Sequence, residues 1–218
     1  MIVMIEIRGR VTDFDGNSIE GADVRLKDRR FEDFCKAVSD ADGRYCLQVK
    51  EGTYIGMYAC KDYGAKNLEF WAWNVPASEN LEVNPRFDRL ELYAMNAWIP
   101  QGAYPSLQVY FRPMSLRRII DKGGTEGLKS ASVIDIAPKL AKEDVAVKID
   151  DQDVTMLEIN KLKESAGPKQ SMLAYLIQTT LPKQRKDKVF HQIQVTIGDP
   201  TTDEKGEGVL FWKTPEWV

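Results

Sequence analysis

Apolar and polar residues alternate with a period of two in several short segments of the first fifty residues. Ile5, Ile7 and Val11 share one parity while charged residues occupy the other, and the segments from Ala22 to Leu26 and from Tyr45 to Val49 repeat the pattern. Such alternation places apolar side chains on one face of a β-strand. The first fifty residues therefore predict a series of short strands with one buried face.

Tight turns separate these strands. The segments from Asp13 to Asn17 and from Asp40 to Gly43 combine Asp or Asn, which bond to nearby backbone groups, with Gly, which accepts a positive φ. A calcium loop is the rival interpretation of the first segment. It is disfavoured because Gly16 comes too early and Val24 stands where a closing Glu would be needed.

The same residues resemble a known family, the carboxypeptidase regulatory-like domain, which is a transthyretin-like β-sandwich related to collagen-adhesin B-type repeats. The resemblance covers residues 3–96 and implies a seven-stranded sandwich, usually an accessory module of enzymes, transporters or surface proteins. The positions that carry it are Gly9, Val11, Asp13, Gly16, Ile19, Ala22, Val24, Leu26, Asp40, Gly43, Tyr45, Leu47, Gly52 and Tyr54.

The second half of the sequence also contains strand-like alternating segments, but it lacks the motif of the first half. Roughly seven further strands with turn signals between them predict an immunoglobulin-like sandwich, although no Cys…Trp…Cys signature is present. Pro113 is expected to end the strand that begins at Leu107, and Asn160 to Ser165 is either strand or a short helix. Pro100 and Pro105 mark a linker. We therefore predict an all-β protein of two β-sandwich domains in tandem, residues 1–98 and 99–218.

Charge and hydropathy exclude several partners. The 30 basic and 33 acidic residues leave a net charge of −3, which provides no global attraction to nucleic acid. The basic cluster from Lys183 to Lys188 is interpreted as a solvated hairpin tip, and the apolar tail from Phe211 to Val218 as a docking segment. No apolar run approaches the roughly 20 residues of a membrane span. The start lacks a signal peptide, so the protein is expected to be cytoplasmic if Met1 is the native start, and otherwise exported with its leader removed.

Reactive side chains are few. The three cysteines, Cys35, Cys46 and Cys60, show no metal-binding or disulfide spacing, and His191 is the only histidine. His191 shares parity with apolar neighbours, which favours an inward, hydrogen-bonded structural role. Metal, cofactor and triad chemistry are therefore not expected, and neither is enzymatic activity. A hydrolase with a carboxylate-only site stays open, because 33 carboxylates always offer some pair.

Aromatic residues are the remaining candidates for a ligand site. Trp71 and Trp73 lie on the strand face opposite Leu68, Phe70 and Ala72, about 6.6 Å apart by strand rise. They form either a sugar-stacking platform or a packed contact, with the second domain or within the core. The leading hypothesis is a non-catalytic interaction or structural module with a protein or glycan partner. The alternative is a carbohydrate-binding protein that uses Trp71, Trp73, Tyr63 and Trp98.

Overall fold

The computed structural model describes residues 4–102, 105–183 and 189–213. Most of the hairpin tip predicted for residues 183–188 and the end of the predicted docking tail lie outside the described residues, at 184–188 and 214–218. None of the helices in the described ranges has the length and apolar character to cross a membrane.

Strands make up most of the regular structure, which confirms the predicted all-β fold class. Its strands are β1 (Met4–Arg10), β2 (Asp23–Lys27), β3 (Asp33–Val38), β4 (Arg44–Lys50), β5 (Gly52–Cys60), β6 (Phe70–Ala77), β7 (Leu81–Glu82), β8 (Leu90–Trp98), β9 (Leu107–Ser115), β10 (Val133–Ile134), β11 (Val145–Ile149), β12 (Gln152–Asp153), β13 (Met156–Gly167), β14 (Gln170–Thr179), β15 (Phe190–Asp199) and β16 (Glu204–Lys213). Two short helices, α1 (Leu116–Asp121) and α2 (Gly124–Lys129), and a 3₁₀ turn (Lys142–Asp144) complete the described elements.

Three sheets are formed within the described ranges. β4, β1 and β7 make a small sheet, and β10, β14, β9 and β8 make a second, with β13 paired to β14. The largest has the order β12-β11-β15-β16-β6-β5-β2-β3 and therefore contains strands from both halves of the sequence. The two halves meet where β16 pairs in parallel with β6, in the register Gly208↔Trp71 to Leu210↔Trp73.

The large sheet has one hydrophobic core on each side of its centre. On one side, β6 contributes Phe70 and Ala72 to a core shared with β1 and β4. On the other side it contributes Trp71 and Trp73 to a second core shared with β8, β9 and β15. Because both faces of β6 are covered, seven of its eight residues are buried. The predicted parities of β6 are confirmed.

Two details of the second half differ from expectation. β9 continues through Pro113 to Ser115 because β14 pairs with β9 only from Leu107 to Phe111. The prediction that Pro113 ends the strand is thus wrong: the edge on which a proline would remove a bond is unpaired there. The helical alternative for Asn160 to Ser165 is also wrong, since these residues lie within β13 and pair with β14.

The predicted boundary at residue 98 falls between two paired strands. β8, the last strand assigned to the first domain, is hydrogen-bonded to β9, the first strand assigned to the second. The residues of β8 also pack into the second core rather than the first. The division into domains stays a prediction.

Candidate functional site

The two tryptophans of β6 are buried. Trp71 is 3% and Trp73 8% exposed, and their rings stack on each other with centroids 4.9 Å apart. Tyr93 meets both rings edge-on, at 5.5 Å and 5.1 Å. Phe31 lies parallel to Trp71 at 5.6 Å. This burial agrees with the packing alternative, and the open stacking platform is not formed.

The neighbouring strand explains how an indole fits flat against the sheet. Gly56 of β5 pairs with Trp73, and a Cβ at Gly56 would lie 3.3 Å from the six-membered ring of Trp71. A larger residue at position 56 would push that ring away. Tyr58 pairs with Trp71 in the same register and packs on it at 5.2 Å. The sequence of β5 thus shapes the surface on which Trp71 rests.

A cleft opens beside these indoles, between the large sheet and the β8–β9–β14 sheet, with a volume of about 490 Å³. Its walls share a strongly aromatic character with a few polar groups. The lining residues are Lys27, Phe31, Tyr58, Tyr63, Glu69, Trp71, Glu91, Tyr93, Arg112, Met114 and Met172. We refer to this site as the aromatic–carboxyl cleft.

The four residues predicted from the sequence do not form one site. Trp71 and Tyr63 both line the cleft, and Tyr63 remains 57% exposed at its mouth. Trp73 belongs to the second core and does not line the cleft. Trp98, at the end of β8, is 43% exposed but does not line the cleft.

Two carboxyl groups meet inside the cleft. Glu91 of β8 is 1% exposed, and its Oε2 accepts a hydrogen bond from the backbone N–H of Glu69 at 3.2 Å. Oε2 of Glu69 accepts a bond from Nε1 of Trp71 at 2.9 Å. Glu69 immediately precedes β6, so the strand that carries the indole also positions the second carboxyl group.

Burial controls the charge of this pair. Desolvation, reinforced by the nearby Glu69 carboxyl, raises the pKa of Glu91 to about 8. Burial also raises the pKa of Glu69, while the bond from Trp71 acts in the opposite direction. At neutral pH the Glu91 side chain is therefore mostly a neutral acid. The cleft offers a hydroxyl donor at Glu91 and carboxyl acceptors at both residues.

The cations of the cleft are neutralised by their own partners. Nζ of Lys27 lies 2.5 Å from Asp33 and stands over the rings of Tyr58 and Phe31, at 5.3 Å and 5.7 Å. Bonds from Lys27, and then from Arg25, lower the pKa of Asp33.

Arg112 is fixed on the opposite wall. Its Nε donates to Tyr110 Oη at 3.0 Å and is paired with Glu164. The hydroxyl of Tyr110 donates in turn to Glu164 at 2.5 Å. Both cleft cations are thus held in place by neighbouring acids.

Other sequence candidates have structural roles. His191 points inward, and its Nδ1 lies 2.6 Å from Asp150, which agrees with the expected hydrogen-bonded histidine. Oδ1 of Asp13 accepts from the N–H groups of Asp15 and Asn17, so that segment is a turn, as predicted. Within the described ranges, no group of three His, Cys, Asp or Glu side chains could hold a metal ion.

Comparison with known proteins identifies no family for the chain. The chain matches no protein-family model and no curated protein, so the resemblance to the carboxypeptidase regulatory-like domain stays a prediction. Among solved structures, it is similar to BcpA, the major pilin subunit of Bacillus cereus, at 11% identity and a TM-score of 0.32, covering 96% of this chain and 69% of that one.

Two further structures come from species of Bacteroides. A DUF3823 family protein from Bacteroides ovatus has 11% identity and a TM-score of 0.30, covering 97% of this chain and 100% of that one. A protein from Bacteroides uniformis, whose name proposes carbohydrate binding, has 10% identity and a TM-score of 0.32, covering 96% and 98%. These values are too low to carry an argument about function, so the site must be judged on its own geometry.

Proposed function

We propose that this protein is a non-catalytic binding module and that the aromatic–carboxyl cleft binds a carbohydrate. The observation that carries the proposal is the convergence of five aromatic side chains and two carboxyl groups around one cavity. Small-molecule sites are mostly apolar pockets of roughly 300–1,000 Å³ with a few placed polar groups, and this cleft has that size and composition.

The chemistry of the walls fits a polyol with an apolar face. Aromatic rings pack against the C–H faces of a pyranose, and Tyr hydroxyls remain free to meet its edge. Glu91, as a neutral acid, donates a hydrogen bond, and Glu69 accepts one. A neutral sugar can therefore satisfy both carboxyl groups without bringing a charge into the cleft.

A cationic ligand fits less well. The ammonium of Lys27 already stands over two of the aromatic rings, and Arg112 faces it across the cleft. An ammonium ligand would find the faces of those two rings already occupied by Lys27, and the mostly neutral Glu91 would offer it little compensating charge at pH 7. These groups favour an uncharged ligand.

The test is a glycan array followed by titration calorimetry with the best glycan. Tyr63→Ala removes the exposed ring at the mouth of the cleft and is expected to weaken binding at least tenfold. Trp98→Ala is the matched control, because it removes another exposed aromatic residue, outside the cleft, and should leave affinity unchanged. No glycan bound, or equal losses in both variants, would contradict the proposal.

The carboxyl pair supports one rival function. Two carboxyl groups in one cleft are the minimum set for glycoside hydrolysis. A panel of aryl glycosides distinguishes the alternatives: the binding proposal predicts no release of the aryl group above the uncatalysed rate. Turnover that disappears in Glu69→Gln would establish a hydrolase instead.

A further inference from the structure

Three loops in the first half share one hydrogen-bonding pattern. In residues 13–17, 28–32 and 40–44, the backbone N–H of the first residue, an Asp, donates to the carbonyl of the fifth, and the fourth residue donates back to the first. In each loop, Oδ1 of the Asp also accepts from the N–H groups of the third and fifth residues. The three loops are therefore copies of the same turn.

The copies differ at their fourth position. It is Gly16 in the first loop and Gly43 in the third, with φ of 84° and 76°. In the second loop it is Phe31, with φ of 65°. The left-handed region is open to glycine but unfavourable for a bulky L-residue. The loop at 28–32 thus holds an aromatic ring in a strained backbone position where its two counterparts use glycine.

The strained ring covers the buried indoles. Phe31 lies parallel to Trp71 at 5.6 Å and close to parallel to Trp73 at 6.4 Å, and it is itself 38% exposed. Nε1 of Trp73 is buried and finds no hydrogen-bond partner among the described residues. The Phe31 ring, which has no polar atom, therefore packs against an indole whose N–H group has no acceptor among the described residues.

The following inference rests on the carbohydrate site proposed above. We propose that Phe31 is a displaceable plug on a second subsite of the cleft, formed by the Trp71–Trp73 pair, which takes another pyranose ring of an oligosaccharide. A sugar in that place would stack on the indoles as Phe31 does. Its hydroxyl groups would also bring an acceptor near Nε1 of Trp73, which Phe31 cannot do.

The loop can move without disturbing the sheet. The hydrogen bonds of residues 28–32 described above all lie within the loop itself. The β2–β3 ladder ends at the pair Lys27↔Asp33, where the two side chains also form an ion pair. β3 is the edge strand of the large sheet, so nothing in that sheet lies beyond it. Displacement of Phe31 therefore does not require any bond of this ladder to break.

Phe31→Gly is the decisive variant, because it removes the ring and gives the turn the residue used by its two counterparts. Acrylamide quenching of tryptophan fluorescence, measured without any ligand, should rise at least 1.5-fold. Phe34→Ala, which removes an exposed ring from β3, is the matched control and should leave quenching unchanged. Unchanged quenching in folded Phe31→Gly would overturn the plug.

Binding of an oligosaccharide from the glycan array tests the subsite itself. Without the plug, affinity for oligosaccharides should rise three- to tenfold. Weaker binding of oligosaccharides by Phe31→Gly would overturn the proposal, since the ring would then contribute more as a contact of the ligand than it blocks as a plug. Failure of wild type and variant alike to bind any glycan would overturn the carbohydrate function and the sugar subsite. The quenching result would still show separately whether Phe31 covers the indoles.

Discussion

The two faces of β6 differ in how they are packed. The face that carries Phe70 and Ala72 packs into a core of fully buried apolar residues. The opposite face carries Trp71 and Trp73, and beside it lie a buried carboxyl group, an unpaired indole donor and a strained phenylalanine. This side of β6 therefore combines three departures from ordinary packing, although others occur elsewhere in the described chain, such as the buried Glu204 and Glu207. Stable folds accept such departures mainly where function requires them.

The largest expected effect on stability comes from a substitution on the face of β6 that carries Phe70 and Ala72. Phe70→Ala should lower the free energy of unfolding by about 3–5 kcal/mol, because it opens a cavity in the first core. Urea denaturation measures the change. Trp71→Phe, on the other face, keeps a ring in place and should destabilise the protein clearly less. Equal losses would show that the two faces contribute alike to stability.

The buried carboxyl group makes a pH-dependent contribution. Glu91 has a pKa of about 8 when folded, against roughly 4.3 in an unfolded chain. The native state thus keeps a proton that the unfolded state has lost. Its stabilising effect is complete below pH 4 and is lost as the pH rises through 8. The Glu91 contribution to the free energy of unfolding should fall by about 3 kcal/mol between pH 5 and pH 8.

Glu91→Gln is the variant that isolates this term. Its stability should change much less over the same pH interval, as measured by urea denaturation at each pH. Glu82→Gln, an exposed position on β7, serves as the control and should retain the wild-type profile. If the wild-type and Glu91→Gln profiles are parallel, Glu91 is not the titrating group.

The smallest expected effect on stability concerns the turns at residues 13–17 and 28–32, which share one hydrogen-bonding pattern. Gly16 has φ of 84° and open space around its Cα, so Gly16→Phe tests the strained conformation without a stacking partner. It should lose about 1–2 kcal/mol in the free energy of unfolding. Phe31→Gly relieves the same strain but removes a stacked ring, so its net change should be smaller. A larger loss in Phe31→Gly than in Gly16→Phe would contradict the view that Phe31 is held under strain.

The strands of β6 and its neighbours could be predicted because alternation is a local property. The pattern placed Trp71 and Trp73 opposite Phe70 and Ala72, as observed. It gave no information about what covers the indoles, because Phe31 and Tyr93 come from other strands and loops. The same holds for the shared sheet, which depends on the distant pairing of β6 with β16.

The cleft was missed for a related reason. Glu91 stands between Leu90 and Leu92 and reads as an exposed residue on the polar side of a strand. Its burial arises because strand β6 and the segment before it lie against that side of β8. An acidic residue between apolar residues is a usable sequence signal for such a cleft when its strand packs against a strand that carries tryptophans. It becomes informative only when the order of strands is known.

The pairing of β6 with β16 also bears on how the molecule comes apart. Cutting the chain after residue 98 would leave β6 without its parallel neighbour and β8 without β9, its only partner in the sheet order. Each half would expose a row of unbonded backbone groups that the other now satisfies. The melting unit is therefore expected to be the whole chain, with one cooperative calorimetric transition in place of two.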